Sequence, residues 1–153
     1  MVPVIKIKKI TNDEAPLELL LLADPSKKAI AGYLKKGSCF VAYDGKVVVG
    51  VYVLNAKSKD MHEIVNIAMA DNMQNKGIGK LLVTDAIKRA KKEGAKKLVV
   101  GTGNSSLSQL AFYQKCGFRI AGIKKDYFIK NYKDVIFENG IQCKDMIVLE
   151  LAL

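Results

Sequence analysis

Apolar residues recur along the chain with two periods, and these periods predict the order of the secondary structure. An apolar residue at every second position is typical of a strand, whereas spacings of three and four are typical of a helix. The alternating pattern predicts strands over residues 2–10, 39–43, 46–54, 61–69, 97–101, 118–123 and 141–151. The helical pattern predicts helices over residues 15–22, 25–36, 77–93 and 106–115. Antiparallel strands followed by a strand–helix–strand unit indicate an α+β fold.

Glycines and short polar residues mark the ends of these elements. Residues 11–13, Thr-Asn-Asp, provide a predicted cap for the first helix. Asp44 and Gly45 form the two-residue signal of a tight hairpin turn. Gly37 and Gly94 follow the last apolar residues of two predicted helices, where a glycine commonly ends the helix.

Composition points to an ordinary globular protein of 153 residues. The chain has no internal repeat and no Pro/Ser linker, so we expect one domain over residues 1–153. Hydrophobic residues make up 50% and charged residues 26%, which excludes disordered, collagenous and disulfide-scaffold classes. The longest apolar stretch, Leu17–Ala23, is interrupted by Glu18 and is far shorter than the roughly 20 residues of a membrane span. The N-terminus lacks the apolar core and cleavage site of a secretion signal.

The metal-binding and redox residues are few. The three cysteines, Cys39, Cys116 and Cys143, are widely separated, and His62 is the only histidine. This set cannot supply the four ligands of a structural zinc site unless carboxylates fill most of it. A sparse and odd number of cysteines suits a reducing compartment. We therefore expect a cytoplasmic protein without a metal.

The net charge of +10 favours an anionic partner. The basic residues are nearly all lysines spread along the chain, as on a solvated surface. Their densest cluster, within residues 88–97, lies at the predicted end of a helix, where cations complement the helix dipole. The aromatic and basic interleaving of RNA-binding modules is missing around these lysines. A basic nucleic-acid-binding module is therefore an alternative that the sequence does not favour.

Residues 74–80, Gln-Asn-Lys-Gly-Ile-Gly-Lys, are the segment with the clearest chemistry. Gly77 and Gly79 fall in the first turn of a predicted helix, although glycine disfavours helix formation. Free N–H groups at a helix start bind phosphate oxygens, and residues without a Cβ let those oxygens approach. Lys76 and Lys80 add positive charge beside them. The alternative interpretation is a plain junction between a loop and a helix.

Two common phosphate-binding loops do not fit. A P-loop needs a glycine five positions before Gly79 and Ser or Thr after Lys80, but this chain has Gln74 and Leu81 there. A dinucleotide-binding turn after residues 97–101 would need a third glycine where Ser106 stands.

The spacing Gln74-x-x-Gly77-x-Gly79 resembles the Q/R-x-x-G-x-G/A acetyl-CoA motif of the GNAT superfamily of N-acetyltransferases. Asn104, Ser108 and residues 112–118, Phe-Tyr-Gln-Lys-Cys-Gly-Phe, resemble the second cofactor segment of that family. The resemblance implies a mixed, mostly antiparallel central sheet of six to seven strands flanked by about four helices. It implies acetyl-CoA as the acetyl donor and is compatible with a homodimer.

The resemblance also assigns cofactor contacts. The main chain of residues 67–69 would pair with the pantetheine arm like an added strand. The N–H groups of residues 75–80 would hold the pyrophosphate, and the second segment would lie near the thioester. The implied cofactor residues are Ile67, Ala68, Met69, Gln74, Asn75, Lys76, Gly77, Ile78, Gly79, Lys80, Asn104, Ser108 and Tyr113. Asn104 could also cap the helix that follows it.

Two residues are candidates for proton transfer. An attacking amine must lose a proton, and a lysine amine with a pKa of about 10.4 needs a base more than an α-amine does. Glu63 resembles the glutamate base of the histone acetyltransferases in this superfamily, with a surface carboxylate as the alternative. Tyr113 is the candidate acid for the leaving thiolate, with a core aromatic beside Phe112 as the alternative. On a strand, His62 points away from Glu63, so we expect no pair between them and a satisfied or exposed imidazole.

Cys116 has no evident base partner, so direct attack on the thioester is favoured over an acyl-enzyme. The resemblance thus implies an N-acetyltransferase acting on a primary amine of a small molecule or a protein. The alternative from another class is a non-catalytic acyl-CoA-binding sensor. Residues 15–36 and 124–139, where the family builds its acceptor pocket, carry no signature of a particular amine.

Overall fold

The alternating residues of the N-terminal half form a four-stranded antiparallel sheet in the computed structural model, which describes residues 4–73 and 76–153. Its strands, adjacent in chain order, are β1 (Ile5–Ile10), β2 (Ser38–Asp44), β3 (Val47–Ala56) and β4 (Met61–Met69). They belong to a first unit that ends at Lys96, and a second unit begins at Lys97. Residues 2 and 3 of the predicted first strand, and the predicted site residues Gln74 and Asn75, lie outside the described residues.

Helices cover both faces of this sheet. They are α1 (Leu17–Ala23), α2 (Lys27–Lys36) and α3 (Ile78–Lys92). Leu20 of α1 and Ile30 of α2 are buried in one cluster with Val51 of β3. The residue before Val51 is Gly50, where a Cβ would lie 3.0 Å from Leu82 of α3. Because consecutive strand residues point to opposite faces, α1 and α2 pack on one face and α3 on the other.

The predicted ends of the elements are partly confirmed. Ser26 caps α2 by accepting the N–H of Ala29 at 3.1 Å. Gly94 follows α3 with a φ of 87°. The hairpin turn is one residue later than predicted, because Asp44 already pairs with Val47.

The predicted cap of α1 was wrong. Residues 12–14 form a short 3-10 turn, in which the Thr11 hydroxyl donates to the Glu14 carboxylate at 2.7 Å. The N-cap position of α1 is Pro16, which has no side-chain cap hydrogen bond. The local polar residues therefore bond among themselves and not to the helix.

In the second unit three strands pair antiparallel in the order β5 (Lys97–Gly103), β9 (Met146–Ala152) and β6 (Arg119–Lys124). Its other elements are α4 (Leu107–Lys115), α5 (Tyr127–Asn131) and a separate ribbon of β7 (Phe137–Glu138) with β8 (Ile141–Gln142). The predicted last strand, residues 141–151, is divided into β8 and β9. Helix α5 was not predicted, because its five residues are too few to show a helical period.

Apart from the ribbon, the first unit has four paired strands and the second has three, in agreement with the expected six to seven, and every pairing described within each unit is antiparallel. Five α-helices accompany them among the described residues, the shortest being α5. The predicted α+β class with a mostly antiparallel arrangement is confirmed. In the described ranges, no helix combines the length and the apolar character that a membrane span requires.

Candidate functional site

A β-bulge interrupts β4 in the middle of the segment that carries the candidate residues. Val53 of β3 pairs with Asn66, but the next residue, Leu54, pairs with Ile64. Val65 is therefore an extra residue without a partner in β3. The extra residue moves Asn66 off the face that Ile64 occupies and onto the face covered by α1 and α2.

Asn66 is buried at this bulge, with 4% of its surface exposed. Its Nδ2 donates to the carbonyl of Leu20 at 3.0 Å and to the hydroxyl of Tyr33 at 2.7 Å. Its Oδ1 is buried and accepts no hydrogen bond from the described residues. The contacts of this residue were not predicted. The signal in the sequence was a single amide within the otherwise apolar run of residues 64–69.

Residues 67–69 follow the bulge and complete β4. Ile67, Ala68 and Met69 pair with Tyr52, Val51 and Gly50 of β3. Within the described part of the first unit, β4 pairs with β3.

The start of α3 presents N–H groups that have no partner within the helix. Gly77 is the N-cap, with a φ of 80° that a residue with a Cβ adopts only with strain. The first intrahelical bond runs from Leu81 N–H to the Gly77 carbonyl at 3.1 Å. The N–H groups of Ile78, Gly79 and Lys80 precede that bond and have no partner within the helix. Aligned N–H groups and the positive end of the helix dipole favour an anion at this position.

Side chains around this helix start fit the same chemistry. Ile78 and Gly79 are buried, whereas Lys76 and Lys80 are exposed. The two ammonium groups therefore stay in solvent beside the helix start. The predicted contributions of Gln74 and Asn75 lie outside the described residues.

Glu63 lies three residues before Asn66 and is partly exposed, with 26% of its side chain accessible. Its Oε1 is 3.4 Å from Nζ of Lys57, which holds the carboxylate in an ion pair. The neighbouring His62 is buried, and its Nδ1 lies 3.2 Å from Oε2 of Glu93 at the end of α3, without the alignment of a hydrogen bond. The expectation that His62 and Glu63 do not pair is confirmed, while an exposed imidazole was wrong.

In the second unit, Asn104 follows β5 and uses its side chain on the main chain of residues 142–145. Its Nδ2 donates to the carbonyl of Gln142 at 3.1 Å, and its Oδ1 accepts the N–H groups of Lys144 and Asp145 at 2.8 and 2.9 Å. The alternative of a helix cap was wrong, because the N-cap of α4 is Ser106. These bonds also explain the interruption between β8 and β9: the main-chain groups of residues 142, 144 and 145 are occupied by a side chain.

The other two predicted residues of this unit lie on α4. Ser108 is exposed, and Tyr113 is buried with 3% of its surface exposed. The Tyr113 ring packs edge-on against Phe118, with ring centres 5.9 Å apart. Burial raises the pKa of the Tyr113 phenol, and the nearby Cys116 thiol raises this pKa further. The hydroxyl thus stays protonated through the neutral pH range and can act as a donor.

Comparison with known proteins gives one consistent family. Residues 7–118 match the model of the family described as Acetyltransferase (GNAT) family. The chain is 53% identical over 149 residues to the uncharacterized N-acetyltransferase YvbK of Bacillus subtilis (strain 168), covering 97% of this chain and 96% of that protein.

Two solved structures share the fold closely. The IAA acetyltransferase from Bacillus cereus ATCC 14579 has a TM-score of 0.95 and 53% identity, with coverage of 98% of this chain and 100% of that one. A GNAT family acetyltransferase from Elizabethkingia anophelis with acetyl-CoA bound has a TM-score of 0.95 and 49% identity, with coverage of 97% and 98%. The family match spans most of the chain, and the similarity to YvbK extends over almost all of it. The chain therefore belongs to the GNAT family of acetyltransferases.

Proposed function

We propose that this protein is an acetyl-CoA-dependent N-acetyltransferase that transfers the acetyl group to a primary amine by direct attack. The observation that carries the proposal is the start of α3, where Gly77 turns the chain and free N–H groups follow within the Q-x-x-G-x-G motif. The Elizabethkingia structure, 49% identical over almost the whole chain, contains acetyl-CoA. The free cysteines are consistent with action in the cytoplasm.

The coenzyme is proposed to lie along β4 and the start of α3. The main chain of residues 67–69 pairs with the amides of the pantetheine arm in the manner of an added strand. The N–H groups of residues 75–80 hold the pyrophosphate, with Gln74 completing the motif and Lys76 and Lys80 supplying charge. In the second segment, Ser108 and Tyr113 are proposed to face the coenzyme. Asn104, whose side chain holds the main chain of residues 142–145, is proposed to lie near the thioester end of the coenzyme.

The reaction needs two proton transfers. The amine nitrogen attacks the thioester carbonyl, a C–N bond forms, and the C–S bond breaks to release the thiolate of coenzyme A. The proton lost by the amine passes to Glu63, directly or through one water molecule. The Tyr113 hydroxyl is the proposed proton donor to the thiolate; its raised pKa keeps it protonated before the reaction but also makes it a weaker acid. The products are an acetamide and coenzyme A.

Calorimetric titration with acetyl-CoA tests the proposed cofactor site. Gly79→Glu introduces a side chain and a negative charge where the pyrophosphate is proposed to bind, so we expect the heat of binding to disappear. Gly32→Glu is the matched control, since nothing lies within 4 Å of a Cβ at this exposed position of α2. It should bind acetyl-CoA like the wild type.

A thiol-release assay with an amine panel tests catalysis. The panel contains spermidine, tyramine, a peptide with a free N-terminal alanine and a peptide with an internal lysine. Amine-dependent release of coenzyme A by the wild type, but not by Gly79→Glu, would support the enzyme. Binding of acetyl-CoA without release for any amine would favour the acyl-CoA sensor, and no binding would overturn the proposal.

A further inference from the structure

The amide of Asn66 joins three elements of the first unit. From β4, its Nδ2 reaches the Leu20 carbonyl in α1 at 3.0 Å and the Tyr33 hydroxyl in α2 at 2.7 Å. The carbonyl of Leu20 can only accept a hydrogen bond, so the chemistry of its neighbours sets the orientation of this amide. The same carbonyl also accepts the N–H of Asp24 at 3.1 Å.

The hydrogen bonds continue from Tyr33 towards the surface. The Tyr33 hydroxyl donates to Oδ2 of Asp24 at 3.2 Å, and Oδ1 of Asp24 accepts the N–H of Ser26 at 3.0 Å. Ser26 in turn caps α2. We name Asn66, Tyr33, Asp24 and Ser26 the corner relay, because they connect β4 to the turn between α1 and α2.

The corner relay costs free energy compared with apolar packing of a strand against two helices. Asn66 is almost fully buried, and its Oδ1 has no donor among the described residues. A buried acceptor without a partner costs free energy, and an apolar side chain of similar shape would avoid that cost. Plain packing therefore does not explain an amide at this position.

The relay meets β4 where the proposed chemistry takes place. Asn66 is placed on the α1–α2 face by the bulge at Val65. The next residue, Ile67, begins the segment proposed to pair with acetyl-CoA, and Glu63 lies three residues before. Residues of α1 and residues 70 and 71, which follow β4, line one cavity, so a displacement of α1 relative to β4 would change the shape of a cavity beside the segment proposed to bind the coenzyme.

We propose that Asn66 is a positioning residue: it holds the turn between α1 and α2 at the distance from β4 that an amine acceptor requires. This inference rests on the proposed function. Asn66 acts through the corner relay and not by contact with acetyl-CoA. Removal of the relay should weaken productive binding of the amine and leave binding of the coenzyme almost unchanged.

Three variants separate this role from general stability. Asn66→Leu replaces the amide by an apolar group of similar size, and the Leu20 carbonyl keeps its bond from Asp24. Tyr33→Phe removes the hydroxyl in the middle of the relay without changing β4. Ile30→Val is the control, because the Ile30 side chain packs in the same core cluster but is apolar, and the substitution keeps the bond from the Ile30 N–H to the Ser26 carbonyl.

Two measurements apply to each variant. Hydrogen exchange, followed by mass spectrometry on peptides from residues 17–36, needs no acceptor, and we expect exchange about tenfold faster in both relay variants than in Ile30→Val. For each panel amine that the wild type acetylates, we expect KM to rise about fivefold or more, with the acetyl-CoA dissociation constant within about twofold of wild type.

The inference is overturned if Ile30→Val raises exchange or the amine KM as much as Asn66→Leu does, because the effect would then be general loosening. It is also overturned if Asn66→Leu weakens acetyl-CoA binding without a change in the amine KM. Failure of the proposed function is seen separately, as a lack of heat when acetyl-CoA is titrated into the wild type. In that case, hydrogen exchange of residues 17–36 that is no faster in the relay variants than in Ile30→Val would still refute the claim that the corner relay holds the turn between α1 and α2.

Discussion

The side-chain carbonyl of Asn104 accepts the backbone N–H of Asp145 at 2.9 Å, across 41 positions of the chain. The same amide bonds to Lys144 and Gln142, so one side chain determines where the strand after the ribbon begins. The turn after β5 is further tied to this region by Asn139, which donates to the Ser105 carbonyl at 2.8 Å. Asn104, which resembles a cofactor residue of the family, therefore also fixes the local main-chain structure through its hydrogen bonds.

Asn104→Ala should lower thermal stability. Loss of the hydrogen bonds to residues 142–145 leaves main-chain groups without partners, which costs about 1–3 kcal/mol. We expect the Tm, measured by circular dichroism, to fall by about 3–10 °C for a protein of this size. Gln114→Ala, which removes one exposed bond to the Leu110 carbonyl, is the control and should change Tm by about 1 °C or less. An unchanged Tm for Asn104→Ala, together with a large loss of acetyl-CoA affinity, would assign the side chain to the coenzyme instead.

Glu63→Gln should reduce turnover. A general base typically contributes about 10²–10⁴-fold, and the loss should be larger for a lysine amine than for an α-amine because more free energy is needed to deprotonate the lysine. The measurement is kcat for the two panel peptides at pH 7. Glu93→Gln, at the carboxylate near His62, is the matched control and should retain kcat. Equal rates in Glu63→Gln and wild type would return Glu63 to the role of a surface carboxylate paired with Lys57.

Tyr113→Phe should preserve the core and impair the chemistry. The ring contact with Phe118 remains, so Tm should stay within about 3 °C, while loss of the proton donor should lower kcat by about 10²-fold or more. Since burial raises the pKa of this phenol, an alkaline decline of kcat below pH 10 cannot come from Tyr113 and should persist in the variant. Tyr43→Phe, at a half-buried tyrosine of β2, is the control. Normal kcat in Tyr113→Phe would leave the ring with a packing role alone.

Cys39 should make folding stability fall at alkaline pH. Burial raises the pKa of this thiol from 9.0 to about 11. In the unfolded chain the thiol loses its proton near pH 9, whereas in the folded protein it keeps the proton, so the stabilisation present below pH 9 is lost between pH 9 and 11. The linked loss is about 3 kcal/mol over this range.

Urea unfolding between pH 8 and 11 measures this effect. Cys39→Ala should be less stable than the wild type at pH 8, because it leaves a cavity in the core. Its disadvantage should shrink as pH rises, since the variant has no thiol to ionise in the unfolded state. A difference in the free energy of unfolding between the two proteins that stays constant from pH 8 to 11 would contradict a raised pKa of the Cys39 thiol.

Local patterns predicted much of the fold. Strand β4 has the predicted bounds, Met61–Met69, because this run contains the β-branched residues Ile64, Val65 and Ile67, which favour strands. Gly37 and Gly94 stand at helix ends as predicted, because the end of a helix depends on residues within one turn. The last strand was predicted too long, because the pattern of residues 141–151 does not reveal that Asn104 occupies the main chain of residues 142–145.

The sequence by itself determined the α+β class, the order of the elements and the motif at the start of α3, because periods, turns and caps depend on neighbours in the chain. Only the tertiary structure decided where β4 bulges and what Asn66 and Asn104 bind. The partners of these two amides lie 33 to 46 positions away. A strand pattern shows that one face is buried, but the register against β3 depends on how both strands pack with the helices. The hydrogen bonds of a buried amide are settled by groups that only folding brings within reach.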